Sequence, residues 1–335
     1  MFLAILRQLA AHLRVTLIGD AVGYNNRGAA FRNAVSYLNR AMCYVASGEH
    51  AKALEDFDAA IRLRPRLSVA HRCRGETCLT LGQVEEALGS CDTAIRLDPS
   101  DALAHGLRGH ALTALGRPQE AEPALQTAAR LAPDSPSLLA WHGGALISGG
   151  DPEQGVAKCA KAVELNPQLI EGYVNRGLGL HFLGRHDEAI ADFDAALRLR
   201  PTEAVALNNR GFVYHALGHY ARARADYVEA IRVGPSHPNA YKNLARLLAT
   251  CPDPAFRDGR QAVEHARRAV ALSQGSNPAW LAIVAAAYAE MGDFSEAVAW
   301  QTRAVEAARG PDKDAQQHRL ELFQNGKPYR EPPPT

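Results

Sequence analysis

The sequence predicts an all-α solenoid built from helix-turn-helix repeats, and three periodic features carry that prediction. Pro65, Pro99, Pro133, Pro167, Pro201 and Pro235 recur every 34 residues. Gly48, Gly82, Gly116, Gly150, Gly184 and Gly218 keep the same interval, each between two stretches with helical spacing of apolar residues. Within the fifth unit, Tyr173, Arg176, Gly177 and Leu180 share one face of a first helix, and Ala189, Phe193 and Ala196 share one face of a second. One repeat is therefore helix, glycine turn, helix, proline stop.

Each element has a physical reason. Gly177 and its equivalents Ala41, Gly75, Gly109, Gly143, Gly211 and Ala245 carry almost no side chain, so the paired helix can approach closely. Pro201 and the other prolines lack an amide hydrogen and cannot continue a helix, so the chain turns into the next unit. The order large aromatic, Gly/Ala, large, Ala, aromatic, Ala, Pro at these spacings resembles the tetratricopeptide repeat over residues 34–308. That resemblance implies antiparallel helix pairs in a right-handed α-solenoid, with a concave surface lined by first helices. Six regular repeats are expected at 34–67, 68–101, 102–135, 136–169, 170–203 and 204–237, and two irregular ones at 238–308.

Departures from the pattern mark the ends and one insertion. After Tyr241, Leu244, Ala245 and Leu248 the glycine turn gives way to the loop Thr250–Gly259, about five residues longer than usual. Such a segment resembles a bacterial subgroup of the family with an LATCPD…RDG loop before its last repeat. An Asp- and Pro-rich turn in which Asp253 or Asp258 caps a helix is the preferred reading. Residues 309–325 are expected to form a polar capping helix and 326–335 an extended, proline-rich tail. At the other end, Tyr24, Arg27, Gly28 and Phe31 repeat the first-helix signature without a second helix, so residues 1–33 are an atypical cap or a truncated repeat. Pro123 and Gly155 fall inside second helices, where they cost about 3 and about 1 kcal/mol relative to Ala, so a soft joint is expected between Pro118 and Gly155.

Composition narrows the function classes. Lys plus Arg is 37 against 36 for Asp plus Glu, which gives no global field for nucleic acid or an anionic membrane. The six cysteines form no CxxC pair and no dense framework, which argues against a disulfide-stapled module or a zinc ribbon. Arg7, Gln8, His12 and Arg14 interrupt the apolar N-terminus, and no apolar run reaches membrane-spanning length, so the expected location is cytoplasmic.

The repeated polar residues invite chemistry, yet most have a structural reading. Arg40, Arg74, Arg108, Arg176 and Arg210 hold one repeat position, with His142 in the remaining unit. Asp56, Asp192 and Asp226 follow three of them by sixteen residues, so ion pairs between the two helices of a repeat are expected. Asp92 is the candidate for Arg74, and Arg108 has no obvious partner. His71 with His105, and His181 with His215, share repeat positions, but two ligands do not make a zinc site and no HExxH occurs. Cys78 and Cys91 fall on inward-facing helical positions as small hydrophobes. No GxSxG elbow or GxxxxGK[ST] loop is present, so neither an enzyme nor a cofactor is expected.

The family resemblance assigns the position of Asn39, Asn175, Asn209 and Asn243 to the groove, where an amide can bond a peptide backbone. Phe182, Phe212 and Arg246 flank that row and add an apolar contact and a carboxylate-binding cation. The family's carboxylate clamp is not expected, because Val69 and Cys73 stand where its last two basic residues belong. The leading function is a protein-protein interaction scaffold that binds an extended peptide or partner helix. An accessory segment of a kinase- or transferase-associated protein is a second reading, with the truncated first unit as its feature. RNA binding by a pentatricopeptide-type array is disfavoured by the 34-residue period and balanced charge.

Overall fold

The computed structural model describes residues 34–273 and 277–333; the reading of residues 1–33 lies outside this range. It is an all-α solenoid, with seventeen α-helices and no strand among the described residues. The chain divides into two compact units, residues 1–179 and 180–335.

In the first unit, helical hairpins follow one another. They are α1 (Ala34–Ala46) with α2 (His50–Leu63), α3 (Ser68–Thr80) with α4 (Val84–Leu97), α5 (Ala102–Ala114) with α6 (Pro118–Leu131), and α7 (Pro136–Gly149) with α8 (Pro152–Leu165). Helix α9 (Ile170–Phe182) contributes its residues up to Gly179. Each hairpin turns at a glycine of the periodic series. Gly150, at φ 97°, closes α7 in the left-handed conformation, and Asp151 N donates to Leu146 O at 2.9 Å.

The second unit contains α10 (His186–Leu199), α11 (Ala204–Ala216), α12 (Tyr220–Val233), α13 (Pro238–Thr250), α14 (Gly259–Ser273), α15 (Pro278–Met291), α16 (Phe294–Ala307) and α17 (Pro311–Gln324). Helices α11/α12, α13/α14 and α15/α16 pair as hairpins, and α17 packs on α16. Its core joins Tyr227, Leu244, Leu248, Val284, Ala297 and Phe323. In the inserted loop, Asp253 Oδ1 accepts from Ala255 N at 2.9 Å over a short 3-10 turn (Pro254–Phe256). Asp258 Oδ1 accepts from Gln261 N at 3.0 Å and caps α14.

The hairpins close around a contact between residues sixteen apart. A Cβ placed on Gly75 would lie 2.8 Å from Cys91 Sγ, on Gly109 2.4 Å from Leu125 Cγ, on Gly143 2.4 Å from Cys159 Sγ, and on Gly211 2.9 Å from the Tyr227 ring. The side chain of the second helix thus fills the space that the first helix leaves empty. Burial pushes the Cys91 thiol up to about 12, as expected for a packing thiol and not a nucleophile.

The polar ladder is built on the same spacing, in two directions. Arg40 Nε donates to Asp56 Oδ2 at 2.6 Å within its repeat. Arg210 donates to Asp226 at 2.8 and 2.7 Å within its repeat, and also to Asp194 at 2.6 Å on α10, sixteen residues earlier. Two pairings differ from the sequence reading. Arg74 bonds Asp58 of the preceding hairpin at 2.7 Å, with Ser90 Oγ at 2.7 Å on its own second helix, where three other repeats carry Asp56, Asp192 and Asp226. Asp92, expected for Arg74, instead takes Arg108 at 2.7 Å. His142 in the arginine position turns to Glu122 at 3.0 Å.

The histidines shared between repeats also have local partners. His71 Nε2 lies 2.9 Å from Pro65 O and His105 Nε2 lies 3.0 Å from Pro99 O. Tyr241 donates its hydroxyl to Pro235 O at 3.3 Å from the same repeat position. Each ties the start of a first helix to the turn before it, a structural use of the ring.

The two residues behind the expected soft joint sit inside continuous helices. Helix α6 spans Pro123, and Gly155 is a packing requirement: its Cβ would meet Gly143 O at 2.7 Å and Ile147 Cγ1 at 2.4 Å. Backbone cannot yield as a flexible side chain does. Gly155→Ala should therefore destabilise the α7/α8 hairpin by about 1–3 kcal/mol through overpacking, against the roughly 1 kcal/mol that helix propensity favours. Site-resolved amide exchange would read the sign, and stronger protection in the variant would show that the two helices can separate without loss.

Candidate functional site

Successive first helices lie side by side within each unit: α1, α3, α5 and α7 in the first, α11, α13 and α15 in the second. Each unit thus presents a face made of first helices alone. The residues assigned to a groove fall on these faces with different fates.

In the first unit, Asn39 is exposed on α1. Asn175 on α9 is half-buried and donates Nδ2 to Ala140 O on α7 at 3.0 Å. Beside it is a cleft of about 160 Å³ lined by His110, Trp141, Gly144 and Asn175. The His110 and Trp141 rings lie 5.2 Å apart, and burial pushes the His110 imidazole below its ordinary value, so it is neutral near pH 7. Trp141 Nε1 is buried without a hydrogen-bond partner. An unpaired buried donor costs about 1–3 kcal/mol. Gly106 makes room for it, since a Cβ there would meet Leu138 at 2.1 Å and the indole at 3.1 Å.

In the second unit, Phe182 is 56% exposed. His181 meets the Phe212 ring edge-on at 5.1 Å, and the Arg246 guanidinium lies 5.2 Å from the centre of that ring. Phe212 and Arg246 are thus brought together. Asn209 and Asn243 are bound up in a chain: Asn243 Nδ2 donates to Asn208 Oδ1 at 2.9 Å, and Asn208 Nδ2 donates to Asn209 Oδ1 at 3.0 Å. Asn243 is only 5% exposed. Asn175 and Asn243 both reach back thirty-five residues to the preceding first helix, which makes this position a staple between repeats.

The C-terminal segment supplies contacts that the sequence reading missed. Helix α13 ends where the glycine series would place its next member, but Pro252 stands there. Its last carbonyls find distant donors. Leu248 O accepts from Asp258 N at 2.9 Å, Ala249 O from Arg330 Nη1 at 3.3 Å, Thr250 O from Glu331 N at 2.9 Å, and Cys251 O from Arg257 Nη1 at 2.8 Å. Two of those four donors belong to the tail.

The tail side chains continue this docking. Thr250 Oγ1 donates to Glu331 Oε1 at 3.1 Å, Arg246 Nε lies 3.5 Å from Oε1, and His215 Nε2 lies 3.2 Å from Oε2. Arg330 pairs with Glu290 on α15, which also accepts from Arg257 Nε at 3.1 Å. The Arg319 guanidinium lies 4.4 Å from the Tyr329 ring centre. Burial pushes the Glu331 carboxyl up, but His215, the Arg246 charge and the Thr250 hydroxyl outweigh that and hold it below its ordinary value. The only hint in the sequence was the missing turn glycine, because the contacts span 81 residues.

Among the described residues, no group of three or more His, Cys, Asp or Glu is placed to hold a metal ion, and no helix is long and apolar enough to cross a membrane.

Profiles of the tetratricopeptide repeat match residues 34–67, 107–170, 168–236 and 281–311. No curated protein is similar enough in sequence to match the chain. A solved chain of the APC/C hetero-tetramer Cut9-Hcn1 superposes with TM-score 0.61 at 21% identity, covering 73% of this chain and 48% of that one. This protein thus spans about half the length of that relative. The human IFIT1 dimer with m7Gppp-AAAA superposes with TM-score 0.61 at 15% identity, covering 83% of this chain and 72% of that one. At such identities the likeness concerns the fold alone.

Two measurements test the polar framework. Arg210→Met strands Asp226, whose side chain is 9% exposed, and should cost about 2 kcal/mol, while Arg108→Met, facing a half-exposed Asp92, should cost under about 1 kcal/mol; chemical unfolding would rank them, and equal losses would contradict the role of burial. By NMR, the Glu331 carboxyl should titrate below the ~4.3 of a free glutamate. Because its docked value is depressed, docking is favoured above the free value and is lost as pH falls through the docked one. A midpoint at or above the free value would contradict the ion pairs.

Proposed function

The chain belongs to the tetratricopeptide repeat family, and from that premise we propose that it is a non-enzymatic protein-interaction scaffold whose first-helix faces hold an extended peptide or a partner helix. One observation carries the reading for the first unit: a buried indole N–H without a partner, Trp141 Nε1, beside a cleft spanning three consecutive first helices. A buried donor without a protein acceptor calls for an acceptor from elsewhere, and a peptide carbonyl laid across α5, α7 and α9 supplies one. His110 offers an aromatic wall and Asn175 an amide. Asn39 extends the same face toward α1. In the second unit, Phe182, Phe212 and Arg246 give apolar and cationic contacts. Asn209 and Asn243 support that face from beneath, through their bonds to Asn208.

This division separates two kinds of residue. The arginine ladder, His71 and His105 spend their hydrogen bonds inside the stack, whereas the Trp141 N–H is left without an acceptor and Phe182 leaves its apolar ring exposed. A scaffold needs that contrast, since binding free energy comes from a few anchors left unsatisfied or exposed on a rigid support.

Capture from native cell lysate with mass-spectrometric identification tests the reading. Trp141→Phe, which removes the N–H but keeps an aromatic ring, and His110→Ala should each lose at least about tenfold of the captured partner, equivalent to about 1.4 kcal/mol. Helical circular dichroism would establish that both variants are folded. Equal capture by parent and folded variants would discard the cleft as the contact surface.

A further inference from the structure

We propose that the second unit's first-helix face recognises an extended segment carrying adjacent basic and acidic residues, and that the chain's own Arg330-Glu331 pair occupies this site until a partner segment of the same chemistry displaces it. The proposal rests on the scaffold reading but uses a different unit and different residues from the Trp141 cleft.

The docked tail shows how such a segment is read. Its backbone contributes one sequence-independent bond, Glu331 N to Thr250 O at 2.9 Å. Its side chains fall into two sites of opposite charge. Glu290 takes the cation Arg330, while Arg246 and His215 flank the carboxylate of Glu331, which also accepts from Thr250 Oγ1 at 3.1 Å. A segment with the two charges exchanged would place like charges together at both sites, so order along the peptide is specified as well as net charge. Tyr329 adds an apolar anchor against the unit's core.

Two features make this occupant displaceable and not a permanent part of the core. The fit is incomplete: with Glu331 in place, Arg246 Nε and His215 Nε2 lie 3.5 and 3.2 Å from its carboxylate and are buried, yet lack an aligned hydrogen bond. A ligand that aligns with them gains what the tail forgoes. The tail is also short. Lys327 N closes the turn after α17 on Leu322 O at 2.9 Å, and only three residues separate Lys327 from Glu331. A tether of this length gives the tail a local concentration on the order of millimolar. Free ligand therefore competes against a high but finite concentration, and weakening the tail's own contacts opens the site.

Fluorescence polarisation with a labelled peptide copying residues 326–333 tests this in the full chain. The parent should bind it weakly, Arg330→Gln/Glu331→Gln at least about tenfold more tightly, and the gain should vanish when Arg246→Met is added. Added salt should weaken the binding because ion pairs carry it. A peptide with the Arg-Glu order reversed should fail to bind the opened variant. Should the double variant unfold by circular dichroism, Glu331→Gln alone provides the milder comparison, with the same direction expected. Binding no tighter than the parent in the folded variant, or a gain that persists without Arg246 or with the reversed peptide, overturns the proposal. Either result leaves the Trp141 capture experiment unaffected, so the two readings fail separately.

Discussion

The structure depends on a contact between a position without a side chain and the residue sixteen places later. Gly75, Gly109, Gly143 and Gly211 each leave a space that Cys91, Leu125, Cys159 or Tyr227 fills, at distances that admit no further carbon. This contact brings the two helices of a hairpin close enough for the flanking polar position to reach across. Arg40 and Arg210 then meet Asp56 and Asp226 at the same interval. Packing and ion pairing are thus one register expressed by adjacent residues.

The register also runs between hairpins. Asp58, Asp92 and Asp194 sit two residues after the within-repeat position and point to the arginine of the following unit. A second helix with two aspartates therefore serves two arginines, one in its own hairpin and one in the next. The within-repeat carboxylates Asp56 and Asp226 are nearly buried and would be stranded without their arginines, whereas Asp58, Asp92 and Asp194 keep contact with water. Solenoids fold as nearest-neighbour assemblies, and here the neighbour interaction is a specific charge contact as well as an apolar seam.

In the second unit, the loss of one element of the repeat has a structural cost that other segments meet. Without a turn glycine after α13, its terminal carbonyls need partners from outside the hairpin, and the inserted loop and the tail provide them. The same substitution of loop for turn places Arg257 beside Glu290 and leaves Glu290 within reach of Arg330. A structural repair of a helix end and a candidate recognition site thus share the same few residues.

Spacing along the chain was enough to set the helices, their pairing and the small-residue contacts, because those depend on distances within about one repeat, where connectivity dictates which residues meet. It also placed Phe212 and Arg246 on one face. It did not settle which arginine meets which aspartate, since Asp58 and Asp92 each lie between two arginines of the ladder and only the offset between hairpins selects one. Gly155 read as a weak helix former because propensity is local, whereas its need arises from Gly143 O across the hairpin. The depth of Asn243 and the docking of Glu331 came from the tertiary arrangement. Burial of Asn243 depends on a neighbouring helix, and docking of Glu331 joins residues 81 apart through carbonyls that become available only once α13 has ended without its glycine.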